Sequence, residues 1–144
     1  MTLLHDAAQS LKDDFEFLTD WEDRYAHIID LGKALAPLAE EERNDANKVR
    51  GCASQVWLVT ERSDDGANLI FRGESDAILV SGLIALALTV YSDQTPEAIL
   101  AFDAEAFFQG LGVDDALSPQ RSNGFRSMIN RIRTDAEKAL QAQV

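Results

Sequence analysis

The chain has 144 residues, with 25 acidic and 13 basic side chains and a net charge of −12. This length predicts one domain over residues 1–144, and the negative charge disfavours nucleic acid and anionic membranes as partners. The single cysteine excludes an intramolecular disulfide and argues against a zinc or iron–sulfur site, so no metal is expected. A free thiol predicts the cytoplasm, and the first six residues lack the features of a secretory signal.

Apolar periodicity predicts two amphipathic helices at the start of the chain. Residues 3–18 carry apolar side chains at spacings of three and four. Thr19 is expected to begin the second helix through a capping box with Glu22. The apolar face of that helix runs from Trp21 to Leu35, and a polar loop is expected over residues 40–46.

A hairpin and a core helix are predicted in the middle of the chain. Residues 55–62 and 68–72 have strand composition, and the turn residues 63–66 separate them. The apolar run 77–91 is too short to cross a membrane and predicts a central helix. Ser75 or Asp76 is expected to cap this helix, and Gly82 is expected to pack against the sheet.

Cap-and-proline patterns predict two helix starts in the last third, at Thr95 and at Ser118. A short helix is expected around Phe107 and Phe108. The final helix has an apolar stripe from Phe125 to Leu140, and its charged residues are interpreted as a solvated face; they are Arg126, Arg131, Arg133, Glu137 and Lys138. Helices around one hairpin predict an α+β fold with a small antiparallel sheet.

The candidate for chemistry is Cys52, which lies between Gly51 and Ala53. Two alternatives stay open: an inert buried thiol, or a reactive thiol on a loop. Lys48 and Arg50 are expected to favour the thiolate and so its reactivity. The chain contains no glycine-rich phosphate loop, no serine elbow and no histidine pair at metal spacing.

No general base can be assigned, because His5 and His27 are distant from the cysteine in sequence. The lack of a second cysteine also disfavours a thiol peroxidase or a dithiol oxidoreductase. A lone thiolate is well suited to attack a sulfur atom presented by another protein. Small neighbours at Gly51, Ala53 and Ser54 would let a foreign backbone approach closely.

The run 49–57, VRGCASQVW, resembles the signature of the SufE family of sulfur-acceptor proteins. Residues 21–25 with 28–32, residues 75–77 with 82–84, and residues 117–124 with Met128 resemble that family in the same order. Ala53 departs from the pattern, since family members often carry glutamine there.

The resemblance implies a sulfur acceptor in iron–sulfur cluster assembly. Cys52 would take persulfide sulfur from a cysteine desulfurase, stimulate that enzyme, and pass the sulfur to a cluster scaffold. The pyridoxal phosphate belongs to the desulfurase, so this chain is expected to need no cofactor. The implied fold is the small sheet and helices of IscU-type scaffolds, with a short strand just before Cys52.

Partner contacts are expected at Arg50, Gly51, Ala53 and Ser54, and the resemblance adds Asp76 and Arg121. Asp76 has an alternative role as a helix cap, and Arg121 as a first-turn residue. Trp57 and Leu58 are expected to help line an apolar pocket for the sulfur. A binding module that activates the desulfurase without using its thiol remains an alternative, and a weak homodimer is left open.

Overall fold

A computed structural model describes residues 3–52, 54–113 and 117–142. Within these ranges the chain forms six α-helices and one antiparallel hairpin, which confirms the predicted α+β class. The elements are α1 (Leu4–Glu16), α2 (Trp21–Lys33), β1 (Val56–Arg62), β2 (Leu69–Ser75), α3 (Ile78–Tyr91), α4 (Pro96–Ala101), α5 (Ala104–Gly110) and α6 (Pro119–Ala142). A 3₁₀ turn, Glu40–Glu42, lies in the predicted polar loop.

The hairpin pairs β1 with β2 from Val56 opposite Ser75 to Arg62 opposite Leu69. The second strand continues to Ser75, beyond the predicted end at residue 72. Instead of a short strand before the cysteine, an isolated bridge joins Lys48 to Trp57. Backbone bonds of 2.8 Å on either side of this bridge align residues 47–49 with β1. The segment that leads to the cysteine is therefore held against the sheet.

Helix α3 is the centre of the core, as its apolar composition predicts, and nine of its 14 residues are buried. Gly82 packs against α2, so the predicted contact with the sheet is wrong. A Cβ atom at Gly82 would lie 2.3 Å from the carbonyl oxygen of Ile28, and one at Gly32 would lie 2.5 Å from the Gly82 nitrogen. The two glycines let the backbones of α2 and α3 come into contact.

Two of the four predicted helix starts are wrong. Asp20, not Thr19, caps α2 and accepts a 2.9 Å bond from the Asp23 nitrogen. The residue before α3 is Ala77, which offers no capping side chain. The starts at Thr95 and Ser118 are confirmed, since each hydroxyl accepts a bond from the backbone nitrogen three residues later.

The last helix is less solvated than its charge pattern predicts. Arg133 donates to the carbonyl oxygens of Ile99, Leu100 and Phe102, where α4 ends. Arg131 donates to the carbonyl oxygen of Ala46 at 2.8 Å and to that of Lys48 at 3.3 Å. Both arginines thus satisfy backbone carbonyl groups of other segments. Through Arg131, helix α6 holds residues 46–48, the segment that leads to Cys52.

Candidate functional site

Cys52 lies on the loop between the Lys48 bridge and β1, and it faces helix α6. Its side chain is partly buried. The thiol donates to the carbonyl oxygen of Gly124, with 3.5 Å between the sulfur and the oxygen. A Cβ atom at Gly124 would lie 3.6 Å from the sulfur, at ordinary contact distance. The resting thiol is thus turned toward the protein.

The loop is held on both sides of Cys52. Before it, Gly51 has a φ of +92°, a backbone conformation that favours glycine. A Cβ atom there would lie 2.6 Å from the hydroxyl oxygen of Ser127. After it, Asp76 makes two bonds to Gln55: its carboxylate accepts from the Gln55 nitrogen at 3.1 Å, and its own nitrogen donates to the Gln55 carbonyl at 3.3 Å.

The cysteine lines a cavity of about 330 Å³ between the loop, β1, α3 and α6. Its apolar lining comes from three elements and consists of Val56, Val80, Leu83, Phe125 and Met128. Its polar lining includes the exposed residues Ser118, Gln120 and Arg121 and the partly buried Ser54. The thiol therefore borders a space with an apolar floor and a polar rim.

Burial raises the pKa of the Cys52 thiol above its ordinary value. The prediction that Lys48 and Arg50 lower this pKa is therefore wrong for the resting protein. Both residues line a different cavity from the one at the thiol. In this conformation Cys52 is kept protonated at neutral pH, and a protonated thiol is a poor nucleophile.

The structure brings together some of the predicted site residues. Ser54 and Arg121 share the thiol cavity with Cys52, whereas Arg50 does not. Asp76 holds the loop through Gln55 and caps no helix. Ala53 lies outside the described residues.

The prediction that Trp57 and Leu58 line the sulfur pocket is wrong, because neither contributes to the cavity at Cys52. Strand alternation explains the absence of Trp57, whose side chain points to the face opposite Val56. Leu58 shares the face of Val56 but lines a separate cavity farther along β1.

The sequence matches the model of the SufE family, described as an Fe-S metabolism associated domain, over residues 9–136. An uncharacterised SufE-like protein of Rhizobium etli is 56% identical over 127 residues, which cover 87% of this chain and 86% of the relative. A second, from Rhizobium meliloti, is 49% identical over 132 residues, covering 90% and 94% respectively. The chain belongs to the SufE family. It is thereby associated with iron–sulfur metabolism.

The fold of this SufE-family chain also occurs in a solved structure. The solution structure of a hypothetical protein from Thermus thermophilus has a TM-score of 0.77 and 18% identity, and the match covers 94% of this chain and 96% of that one. At this identity the likeness concerns the fold alone. No helix in the described ranges is both long enough and apolar enough to span a bilayer.

Sequence reasoning missed the contribution of α6 to the site. Gly124, Phe125 and Met128 lie at spacings that place them on one helix face, and they meet the cysteine loop there. Periodicity predicted that Phe125 and Met128 are buried, but no pattern in a single sequence indicates that Cys52 is their neighbour. Among the described residues no group of three or more histidine, cysteine or carboxylate side chains could hold a metal.

Proposed function

We propose that this protein accepts sulfur from a cysteine desulfurase on Cys52 and delivers it to an iron–sulfur cluster scaffold. The observation that carries the proposal is the thiol itself, partly buried at the edge of an apolar cavity with a polar rim. An inert core cysteine would be surrounded by packed side chains, with no adjoining space. Membership of the SufE family agrees with a role in iron–sulfur metabolism.

The transfer is a thiol–persulfide exchange that needs no outside oxidant or reductant. The Cys52 thiolate attacks the terminal sulfur of a persulfide on the desulfurase cysteine. A bond forms between the Cys52 sulfur and that terminal sulfur, while the sulfur–sulfur bond on the desulfurase breaks. The desulfurase cysteine leaves as a thiolate, and the persulfide now belongs to Cys52.

The same exchange with a scaffold thiolate would release the sulfur and restore the Cys52 thiolate. Between the two steps the persulfide on Cys52 would lie in the thiol cavity. Its volume of about 330 Å³ is several times the roughly 30 Å³ that one water occupies in the liquid, so one added sulfur atom has room. The apolar floor would keep water and other thiols from the terminal sulfur.

The raised thiol pKa of the resting conformation means that attack requires a change at the loop. Release of Cys52 from Gly124 into a desulfurase active site would expose the thiol to water or to a partner cation, and either lowers its pKa. The residues around it have roles in this step. Gly51 and Ser54 flank the reactive segment, together with Ala53, while Asp76 holds the loop until docking and Arg121 and Arg50 offer cationic contacts to the partner.

The reaction would take place in the cytoplasm, where thiols are kept reduced. A free cysteine that must alternate between thiol and persulfide is suited to that compartment. The raised pKa also argues against peroxidase activity, because peroxide-reactive cysteines are usually exposed and have a lowered pKa.

The proposal is tested by mass spectrometry of the intact protein after incubation with the cognate desulfurase, pyridoxal phosphate and cysteine. We expect a gain of about 32 Da, one sulfur atom, on Cys52, which reductant removes and alkylation traps. Cys52→Ser should gain no sulfur and should not stimulate the desulfurase. Absence of the added sulfur on the wild-type protein refutes the proposal. Full stimulation by Cys52→Ser would instead favour docking without chemistry.

A further inference from the structure

A second cavity lies beside the cysteine segment, and none of the described residues lines both this cavity and the thiol cavity. It measures about 410 Å³ and is open to solvent. The cysteine segment contributes Lys48, Val49 and Arg50 to its lining, and α6 contributes Ser127, Asn130, Arg131 and Thr134. Gly51 lies against Ser127, which lines the second cavity, and directly precedes Cys52, which lines the thiol cavity. We name this second cavity the basic groove.

The basic groove has unpaired positive charge. The side chains of Lys48 and Arg50 make no hydrogen bond or ion pair within the described ranges, and Arg50 is exposed. Arg131 is already engaged with two backbone carbonyls and with Asp135 at 3.3 Å. Among the described lining residues Asp45 is the one carboxylate, so the two unpaired cations outnumber it.

This local charge is opposite to that of the whole protein, which has a net charge of −12. At physiological ionic strength a charge is felt over about 8 Å, so the charges that line the groove act on a docking segment more strongly than charges farther away. A cation pair with hydroxyl and amide donors beside it fits carboxylates. Ser127, Asn130 and Thr134 supply those donors along one face of α6.

We propose that the basic groove docks an acidic segment of the desulfurase, an inference that rests on the proposed sulfur transfer. Carboxylates of that segment would pair with Lys48 and Arg50. Docking there would hold the chain two to four residues before Cys52, while the thiol cavity remains unobstructed. The groove thus orients the encounter, and Cys52 is left free to enter the desulfurase active site from the other side of Gly51.

The test is the affinity for the desulfurase at several salt concentrations. We compare wild type with Lys48→Glu/Arg50→Glu and with the matched control Lys12→Glu/Lys33→Glu, whose lysines are exposed on α1 and α2. Both double variants change the net charge by the same amount. We expect the groove variant to bind roughly tenfold more weakly at low salt, with the difference shrinking as salt rises, and the control to bind much more tightly than the groove variant.

Equal losses of affinity in the two double variants would show a general charge effect and overturn the proposal. So would unchanged affinity of the groove variant. Circular dichroism and the iodoacetamide reactivity of Cys52 in the isolated proteins check that fold and thiol are intact. Failure of the sulfur transfer itself is distinguishable, because the wild-type protein would then gain no sulfur however tightly it binds.

A second measurement uses a hexaglutamate peptide as probe and follows backbone amide shifts by NMR. We expect saturable shifts confined to residues 46–50 and 127–134, and their loss in the Lys48→Glu/Arg50→Glu variant. Equal shifts with inorganic phosphate would indicate a simple anion site and overturn docking of a peptide. An absence of shifts in these segments would also overturn it.

Discussion

Replacing Gly51 with alanine tests whether the loop holds the thiol inward. Gly51 has a φ of +92°, where a side chain costs about 1–2 kcal/mol. The new Cβ atom would also lie 2.6 Å from the Ser127 hydroxyl oxygen. The hydroxyl can rotate away, so most of the lasting cost is backbone strain. Opening of the loop releases that strain, and about 1–2 kcal/mol raises the open population about 5- to 30-fold.

The assay is the rate of iodoacetamide alkylation of Cys52 in the folded protein, read by intact mass. This rate follows the open population when opening and closing are faster than alkylation. We expect Gly51→Ala to react about 5- to 30-fold faster than wild type. Gly51→Ala/Ser127→Ala should retain most of this acceleration, because it removes the hydroxyl and leaves the strain.

The matched control is Gly66→Ala. Gly66 has a φ of +74° in the hairpin turn, and a Cβ atom there would meet nothing within 4 Å. This variant has comparable strain away from the thiol and should alkylate at the wild-type rate. Equal rates for Gly51→Ala and wild type would refute the reasoning, and equal acceleration in Gly66→Ala would show general loosening of the fold.

Three further predictions concern the core, the loop and the thiol. Gly82→Ala forces α2 and α3 apart, and overpacking of about 1–3 kcal/mol should exceed the gain of about 1 kcal/mol in helix propensity. Urea unfolding should therefore show lower stability than for Gly110→Ala, where a Cβ atom meets nothing within 4 Å; equal stabilities would contradict this. Asp76→Ala removes the acceptor of the Gln55 nitrogen, and a loss of about 1 kcal/mol should raise the alkylation rate roughly fivefold. An unchanged rate would mean that this bond does not restrain the loop. Because burial raises the pKa of Cys52, alkylation of the folded protein should reach half its maximum at a higher pH than in urea. The stability that the protonated thiol contributes is complete below the pKa of the thiol in the unfolded chain and is lost as the pH rises through its pKa in the folded chain. Coincident alkylation profiles of the folded and the unfolded protein would count against burial as the cause of the raised pKa.

The fold was largely accessible from the sequence, and the errors have local causes. Periodicity located α1, α3 and the hairpin because helices and strands bury side chains at fixed spacings. The predicted cap of α2 lies one residue too early, because Thr19 and Asp20 both have side chains that can cap a helix. The sequence predicts Asp76 as a cap because it lies just before the apolar helix. Only the tertiary structure shows that Gln55 lies opposite it.

The candidate site divides in a similar way. Cys52 and Ser54 could be named from the residues themselves and Arg121 from the resemblance to the SufE family, and the structure places all three around one cavity. Gly124 could not, because its carbonyl meets the thiol across 72 positions of sequence. The sign of the pKa shift was also inaccessible. Two cations nearby in sequence suggested a lower value, whereas burial in the folded chain raises it.

The sequence by itself determined the family, the presence of one thiol, the acidic character of the chain, and most of its helices and strands. These depend on residue identity and on short-range spacing, which the chain carries before it folds. The tertiary structure alone decided that Cys52 is turned toward α6, that Asp76 holds its loop, and that Lys48 and Arg50 border a separate groove. Each of these depends on segments far apart in the chain, and packing of the core brings them together.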